Sequence, residues 1–341
     1  MAGGDGFAGA VSRQTVLKAA AGFLVAVLVL YLLASGLGIA ELRTVLAGAE
    51  LGWIAVACLS TLLCLVSWGK AWQVVLREGG IQVPFRRLVV TYLAATFANY
   101  VTPLGQAGGE PFIAYVLSRD TGASYEDSLA SVVTADLLNL VPFFTFAAGG
   151  LSWLVWRAEL PAATQPLAVG LLGVALGVPA LLAVGWRLRE RLLAALSRAV
   201  APIASRTDRV SVAGVRARLQ NLFAAFERIA QEPLALVEGL AFAYLGWLFF
   251  ALPLYLAGLA LDVPVDPLVI LFIVPASTLA GLTPAPGGLV GIELALVGML
   301  VALTPIGAAT AFAIALVYRL SSYWFGLVVG GGAALLVVNR S

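Results

Sequence analysis

Long apolar runs separated by short polar intervals dominate this chain. Six of them, residues 16–38, 51–72, 128–156, 166–186, 234–261 and 308–338, reach the roughly 20 mostly apolar residues a helix needs to cross a bilayer. Trp53, Trp72, Trp153, Trp156 and Trp186 sit near the ends of these runs, as an interfacial aromatic belt requires. Two further runs, 88–101 and 268–282, are shorter. At 1.5 Å per residue they span only about 21 and 23 Å, less than a hydrocarbon core of about 30 Å. Each is followed by a Pro/Gly interruption and a second short apolar run, 111–117 and 289–303. The pattern predicts an all-α polytopic membrane protein with six full transmembrane helices and two re-entrant or broken helical hairpins, 88–118 and 267–304.

Composition agrees with lipid as the main solvent. Hydrophobic residues make up 61% of the 341 positions and charged residues 11%, against about 25% charged in a soluble domain. Mean hydropathy is +1.00. A water-facing surface built from this chain would be one continuous apolar patch, so the chain reads as a single integral membrane domain. Met1 to Ala10 is Gly-rich, and residues 1–12 read as disordered. The first run exceeds a signal-peptide core of about 7–15 residues and reads as a retained helix. The chain has no histidine, which removes the commonest general base and metal ligand. Cys58 and Cys64 lie inside an apolar run and read as small hydrophobes. No cofactor is expected.

Charge sets the expected orientation. Cations cluster at Arg13/Lys18, at Arg77/Arg86/Arg87 and between Arg187 and Arg228. The positive-inside rule puts all three clusters, including the basic loop 187–232, in the cytoplasm. Residues 41–50, 157–165 and 262–266 then lie outside. With that parity, 88–117 enters and leaves from the cytoplasmic face and 268–303 from the outer face, so the hairpins are opposed. Both termini are expected to be cytoplasmic and the membrane to be the cell membrane. Within the basic loop, 215–229 has an amphipathic pattern suited to an anionic lipid surface.

The hairpin tips repeat each other. The first reads Thr102-Pro103-Leu104-Gly105-Gln106-Ala107-Gly108-Gly109-Glu110, and the second Thr283-Pro284-Ala285-Pro286-Gly287-Gly288-Leu289-Val290-Gly291-Ile292-Glu293. Both run Thr-Pro, a Gly-rich loop, then a Glu opening the returning helix. Duplicated segments of opposite topology, interrupted by Gly and Pro, point to a transport site near the bilayer midplane. Unwound backbone survives at that depth only where protein or water satisfies it, and a half-helix start favours an anion. Glu110 and Glu293 either cap their half-helices or couple protonation or a headgroup to transport. At the same offset from the two glutamates, Asp136 corresponds to Arg319, each well inside a long helix, where ionisable residues are functional or paired. Arg319 either pairs with Glu293 or Asp136 or holds a lipid phosphate. Asn99, Gln106 and Asn139 suit interhelical hydrogen bonds, and Lys70 snorkels.

The segment 283–293 resembles the P-x-P-G-G-x-G-x-x-E signature of the lysylphosphatidylglycerol synthase transmembrane family, also described as a flippase-like integral membrane domain. Asn99 to Glu110, with Pro103 and Gly109, is similar to its first-half counterpart, and Tyr318-Arg319 to the arginine of its late helix. The resemblance extends over nearly the whole chain. It departs where the family would place an Arg near Asp136. It implies the lipid-translocating part and not the aminoacyltransfer, because the cytosolic domain of the synthase members has no counterpart before Ser341.

Three functions compete. The preferred one is a flippase moving an anionic phospholipid or polyprenyl-phosphate lipid, with a site built from Glu110, Glu293, Arg319, Asp136, Asn99, Thr102, Pro103, Gly109, Thr283, Pro284, Pro286, Gly287, Gly288 and Gly291. A non-transporting partner that recruits a cytosolic lipid-modifying or glycosyl-transfer enzyme is the alternative. A lipid-modifying enzyme is disfavoured by the absence of His, nucleotide motifs and metal clusters. Expected partners are membrane lipids and, beyond them, a second copy of the chain or a cytosolic enzyme, but not nucleic acid.

Overall fold

The computed structural model describes residues 13–102, 106–157, 165–191, 194–195, 198, 212–282 and 285–338, with some helical side chains, among them those of 13–20 and 106–109, outside the description. The regular elements among them are all helical. α1 (Arg13–Leu37) and α2 (Ile39–Ala47) meet at Gly38 at an angle of 96°. There follow α3 (Leu51–Glu78), α4 (Phe85–Val101), α5 (Gln106–Thr121), α6 (Tyr125–Trp156), α7 (Gln165–Arg187), α8 (Val212–Gln231), α9 (Pro233–Ala260), α10 (Pro267–Leu279), α11 (Gly291–Leu303), α12 (Ala308–Arg319) and α13 (Phe325–Val338). Two 3₁₀ turns, Ala280–Leu282 and Pro286–Gly288, separate α10 from α11. A π-helical turn, Leu320–Trp324, joins α12 to α13.

Local chemistry accounts for several starts. Ser124 Oγ accepts the Asp127 N–H at 3.0 Å and donates to its carboxylate at 2.7 Å, a reciprocal cap that opens α6. Asp266 accepts the Leu268 N–H at 2.8 Å, and Pro267 fills the first turn of α10, where a missing N–H costs nothing.

Where lipid surrounds the helices, they are held by close packing and interhelical hydrogen bonds. α3 lies along α9, with Ser60 donating to the Phe249 carbonyl at 2.8 Å. Trp68, Trp247 and Phe250 interlock between them, ring centroids 5.4–5.7 Å apart. α13 lies on α4 through glycine. A Cβ on Gly330 would come within 2.6 Å of the Leu93 carbonyl, so only glycine allows that approach. One core joins α9, α10, α11 and α12, and a second joins α3, α5, α6 and α8.

Among the described residues, five helical stretches are long and apolar enough to cross a membrane: Leu51–Glu78, Tyr125–Trp156, Pro233–Ala260, Pro286–Leu303 and Ala308–Val337. The bent α1–α2 pair makes a sixth if counted as one span. Four of the six expected runs are among them. The run at 16–38 falls on α1, and that at 166–186 falls on α7, several of whose side chains lie outside the description. Pro286–Leu303 was expected to hold only the short returning run 289–303. By length and composition it suffices for a crossing, although a break at Gly287–Val290 limits α11 to 13 residues. Residues 41–50, expected as an outer loop, hold most of α2. Glu41, Arg43 and Glu50 mask its apolar stripe Ile39, Leu42, Val45 and Leu46, which buries Leu42 in the core that includes α12. The amphipathic stretch at 215–229 lies within α8, whose Ala225 and Ile229 are buried. The disorder expected for 1–12 falls outside the described residues.

Candidate functional site

The break between α10 and α11 is made by backbone that few residues adopt. Gly287 has φ +57° and Gly288 φ +64°. Val290, β-branched, is held at φ +71° and ψ −51°, a strained conformation that persists only when its surroundings enforce it. Val290 packs in a small cluster with Phe23 and Ala26 of α1, Tyr100 of α4, Leu289, and Tyr323 and Trp324 of the π turn. The tip of the break therefore abuts α1, α4 and the π turn together. On α1, Gly22 faces Pro286, whose Cδ would lie 3.0 Å from a Cβ added there.

At this junction lies a buried ion pair. Arg319 Nε donates to Glu293 Oε1 at 2.6 Å, and Arg319 Nη2 donates to the Gly287 carbonyl at 2.9 Å. The guanidinium carbon stands 4.3 Å above the Tyr323 ring, a cation–π contact. Arg319 is 7% exposed and Glu293 1%. Among the described residues Glu293 Oε2 has no hydrogen-bond partner and Arg319 Nη1 no acceptor. Arg319 lies about 17 Å along its helix from Ala308 and about 28 Å from Val338, at 1.5 Å per residue.

Tyr323 ties the second break to the first. Its hydroxyl donates to the Tyr100 carbonyl at 3.1 Å, two residues before the Thr102 break, and the two rings lie 4.9 Å apart. The ring also occupies the space beside Gly287, where a Cβ would stand 2.0 Å from Tyr323 Cε2. The π turn advances Tyr323 into this position; such turns inside α-helices are frequent at functional sites.

The first half carries a different polar cluster. Asp136 Oδ1 accepts the Trp72 indole N–H at 3.1 Å, and Trp72 stacks edge-on to Tyr92 at 4.7 Å. Glu110 of α5 is the other carboxylate close to Asp136. Arg319 and Asp136, which lie at the same sequence offset from Glu293 and Glu110, are thus not paired with each other: Arg319 pairs with Glu293, and Asp136 accepts from Trp72. Asn99 and Asn139 each bury an Oδ1 without a hydrogen-bond partner among the described residues. Thr102 turns its hydroxyl back to the Ala98 carbonyl at 2.7 Å. Lys70 forms no isolated snorkel: it donates to Gln73 at 2.8 Å and faces Glu238 at 3.7 Å, which also takes Arg77 at 3.1 Å.

Of the expected site residues, Glu293, Arg319, Pro286, Gly287, Gly288 and Gly291 come together around the second break. Asp136 and Glu110 form the first-half cluster, and Asn99 and Thr102 sit on the α4 end nearby. Pro103, Thr283 and Pro284 lie outside the described residues, as does the Gly109 environment. The sequence did not single out Tyr100, Tyr323 or Gly22. Tyr323 was open to detection, since it stands four residues after Arg319, a spacing that puts two side chains on one helix face. Among the described residues no group of three or more His, Cys, Asp or Glu side chains is arranged to hold a metal ion.

The chain matches the family model described as Lysylphosphatidylglycerol synthase TM region over residues 19–330. It is 25% identical over 305 residues to a UPF0104 membrane protein of Methanothermobacter thermautotrophicus, covering 87% of this chain and 89% of the relative. A second UPF0104 membrane protein of that organism is 24% identical over 336 residues, 95% and 93% of the two chains. One from Pyrococcus horikoshii is 22% identical over 303 residues, 86% and 88%. An all-helical chain with five to six candidate spans and these relatives is a multi-pass membrane protein. It belongs to the lysylphosphatidylglycerol synthase transmembrane region family.

Proposed function

We propose that the protein moves an anionic lipid, with a phospholipid or polyprenyl-phosphate headgroup, between leaflets by alternating access at a site between two opposed broken hairpins. The observation that carries this reading is the buried Arg319–Glu293 pair at the place where the second break meets the end of α4 through Tyr323 and Tyr100. Arg319 keeps Nη1 without an acceptor among the described residues, so a phosphate oxygen can bind it; a guanidinium suits phosphate geometrically. The family supports a lipid-related membrane role.

Helix lengths support the hairpin reading. α10, at 13 residues, reaches only about 20 Å, and α4 and α5 about 26 and 24 Å. All fall short of a core of about 30 Å. In the inverted-repeat scheme both termini and the basic loop 187–232 face the cytoplasm, in the cell membrane. The tails stay in the bilayer while the headgroup passes the junction, and no covalent chemistry takes place.

The test uses proteoliposomes containing fluorescent phosphatidylglycerol and dithionite quenching of the outer leaflet. The reading expects full quenching with the intact protein and at least a tenfold slower second phase with Arg319→Ala. Equal rates for the two proteins and for protein-free vesicles refute transport and favour a membrane partner that recruits a cytosolic enzyme.

A further inference from the structure

Glu293 Oε2 is a buried carboxylate oxygen with no donor among the described residues, in a side chain 1% exposed. Its sister oxygen is bound to Arg319 at 2.6 Å. Leaving a buried acceptor unmet is costly, so this oxygen is the place in the site where a donor or a proton is best accommodated.

Charge decides between the two. The Arg319–Glu293 pair holds one guanidinium and one carboxylate and is neutral. A phosphodiester headgroup arriving at Arg319 adds one negative charge, and a net charge buried in a low-dielectric site is unfavourable. No other described residue near the junction supplies a compensating cation. The groups that face Glu293 are Arg319 and Tyr323; Tyr318 and, on α4, Tyr100 lie in turn beside Arg319, and Cys64 on α3 lies beside those two phenols. The phenols and the thiol are neutral in their ordinary state near pH 7, and Arg319 is already counted. α11 carries no charged residue but Glu293.

We infer that Glu293 takes up one proton on Oε2 for each anionic phosphodiester headgroup that binds Arg319, which makes the lipid and a proton move together without net charge. The proton comes from bulk water on whichever side the site is open. It adds to the carboxylate to give a carboxylic acid, and no other bond is made or broken. Protonation loosens the hold of Glu293 on Arg319 and leaves the guanidinium to the phosphate. This assignment rests on the lipid-transport reading for its ligand, but its binding test does not require transport. It selects Glu293 from the three acids that the sequence offers for coupling, Glu110, Asp136 and Glu293.

The test is isothermal titration of purified protein in detergent with dihexanoyl phosphatidylglycerol, from pH 5.5 to 7.5, in two buffers of different ionisation enthalpy. A phosphodiester does not itself titrate in this range, so proton uptake reports on the protein. The expected result is one proton taken up per headgroup and an apparent affinity that falls tenfold per pH unit. Glu293→Asp retains that slope, whereas Glu293→Gln flattens it. A flat profile in the intact protein overturns the coupling and leaves lipid transport standing. A full slope in Glu293→Gln moves the proton to another acid and also overturns it. A full slope in a protein that moves no lipid in vesicles upholds the coupled site and refutes transport. Binding of dimethyl phosphate as tight as that of the lipid makes the site one for free anions and overturns the assignment.

Discussion

Gly287→Ala is the substitution whose consequence can be worked out most fully. Gly287 sits at φ +57°, and a left-handed non-glycine residue costs about 1–2 kcal/mol. The new methyl would also stand 2.0 Å from Tyr323 Cε2 and 2.7 Å from its hydroxyl, so the ring must leave its seat. With it go the hydrogen bond to the Tyr100 carbonyl, about 0.5–1.5 kcal/mol, and the contact with Arg319, about 0.5–2 kcal/mol. The total is a loss of about 2–5 kcal/mol. Tyr323→Ala alone should cost about 3–5 kcal/mol, as for other buried aromatics. In the double variant the clash is gone, so adding Gly287→Ala should cost only the backbone term of about 1–2 kcal/mol. The cycle therefore predicts a coupling of about 1–3 kcal/mol, read from unfolding in mixed micelles by tryptophan fluorescence. Additivity within about 0.5 kcal/mol, or a Gly287→Ala protein as stable as the parent, refutes the packing of Tyr323 on this turn.

Other substitutions separate pairing from packing. Arg319→Ala leaves a buried carboxylate and should cost about 3–5 kcal/mol, whereas the double change Glu293→Leu/Arg319→Met should cost markedly less; equal losses in the same unfolding assay contradict a buried pair. Trp72→Phe removes the donor to Asp136 and should lower stability by about 1.5–3 kcal/mol, an effect that Asp136→Leu/Trp72→Phe should partly cancel. Gly330→Leu drives a side chain into the Leu93 carbonyl and should cost more than 2 kcal/mol, roughly the scale of overpacking, while Gly332→Ala, which meets nothing within 4 Å, should stay within about 0.5 kcal/mol. Similar melting temperatures for both glycine variants contradict the α4–α13 contact.

The long helices were legible because an apolar run of their length has one low-energy solution in lipid. α3, α6 and α9 follow their runs closely, extended by polar ends such as Arg77 and Glu78 that hydropathy alone excludes. That Arg319 either pairs or binds a ligand was legible too, since an ionisable side chain within a long apolar helix is functional or paired; the choice of Glu293 over Asp136 as its partner was not. The seat of Tyr323 against Gly287 was not, because it depends on a π turn that leaves no mark in composition and on a tip brought back from another segment. Trp72 read as an interfacial aromatic, yet it donates to Asp136. A tryptophan at a helix end fits both roles, and only the position of α6 distinguishes them. The bend at Gly38 and the helix after it were hidden by Glu41 and Arg43, which read as loop.

The central claim is the proposed passage of an anionic lipid by alternating access at this junction, which requires the Pro286–Gly288 tip to part from its neighbours, α1 among them. Gly22 and Pro286 face each other across that contact, so cysteines at both positions, with Cys58 and Cys64 replaced by serine, can be joined by a short cleavable thiol crosslinker. Movement of labelled phosphatidylglycerol in proteoliposomes should fall at least tenfold on crosslinking and return when the linker is cleaved. Undiminished movement by the fully crosslinked protein would contradict the account.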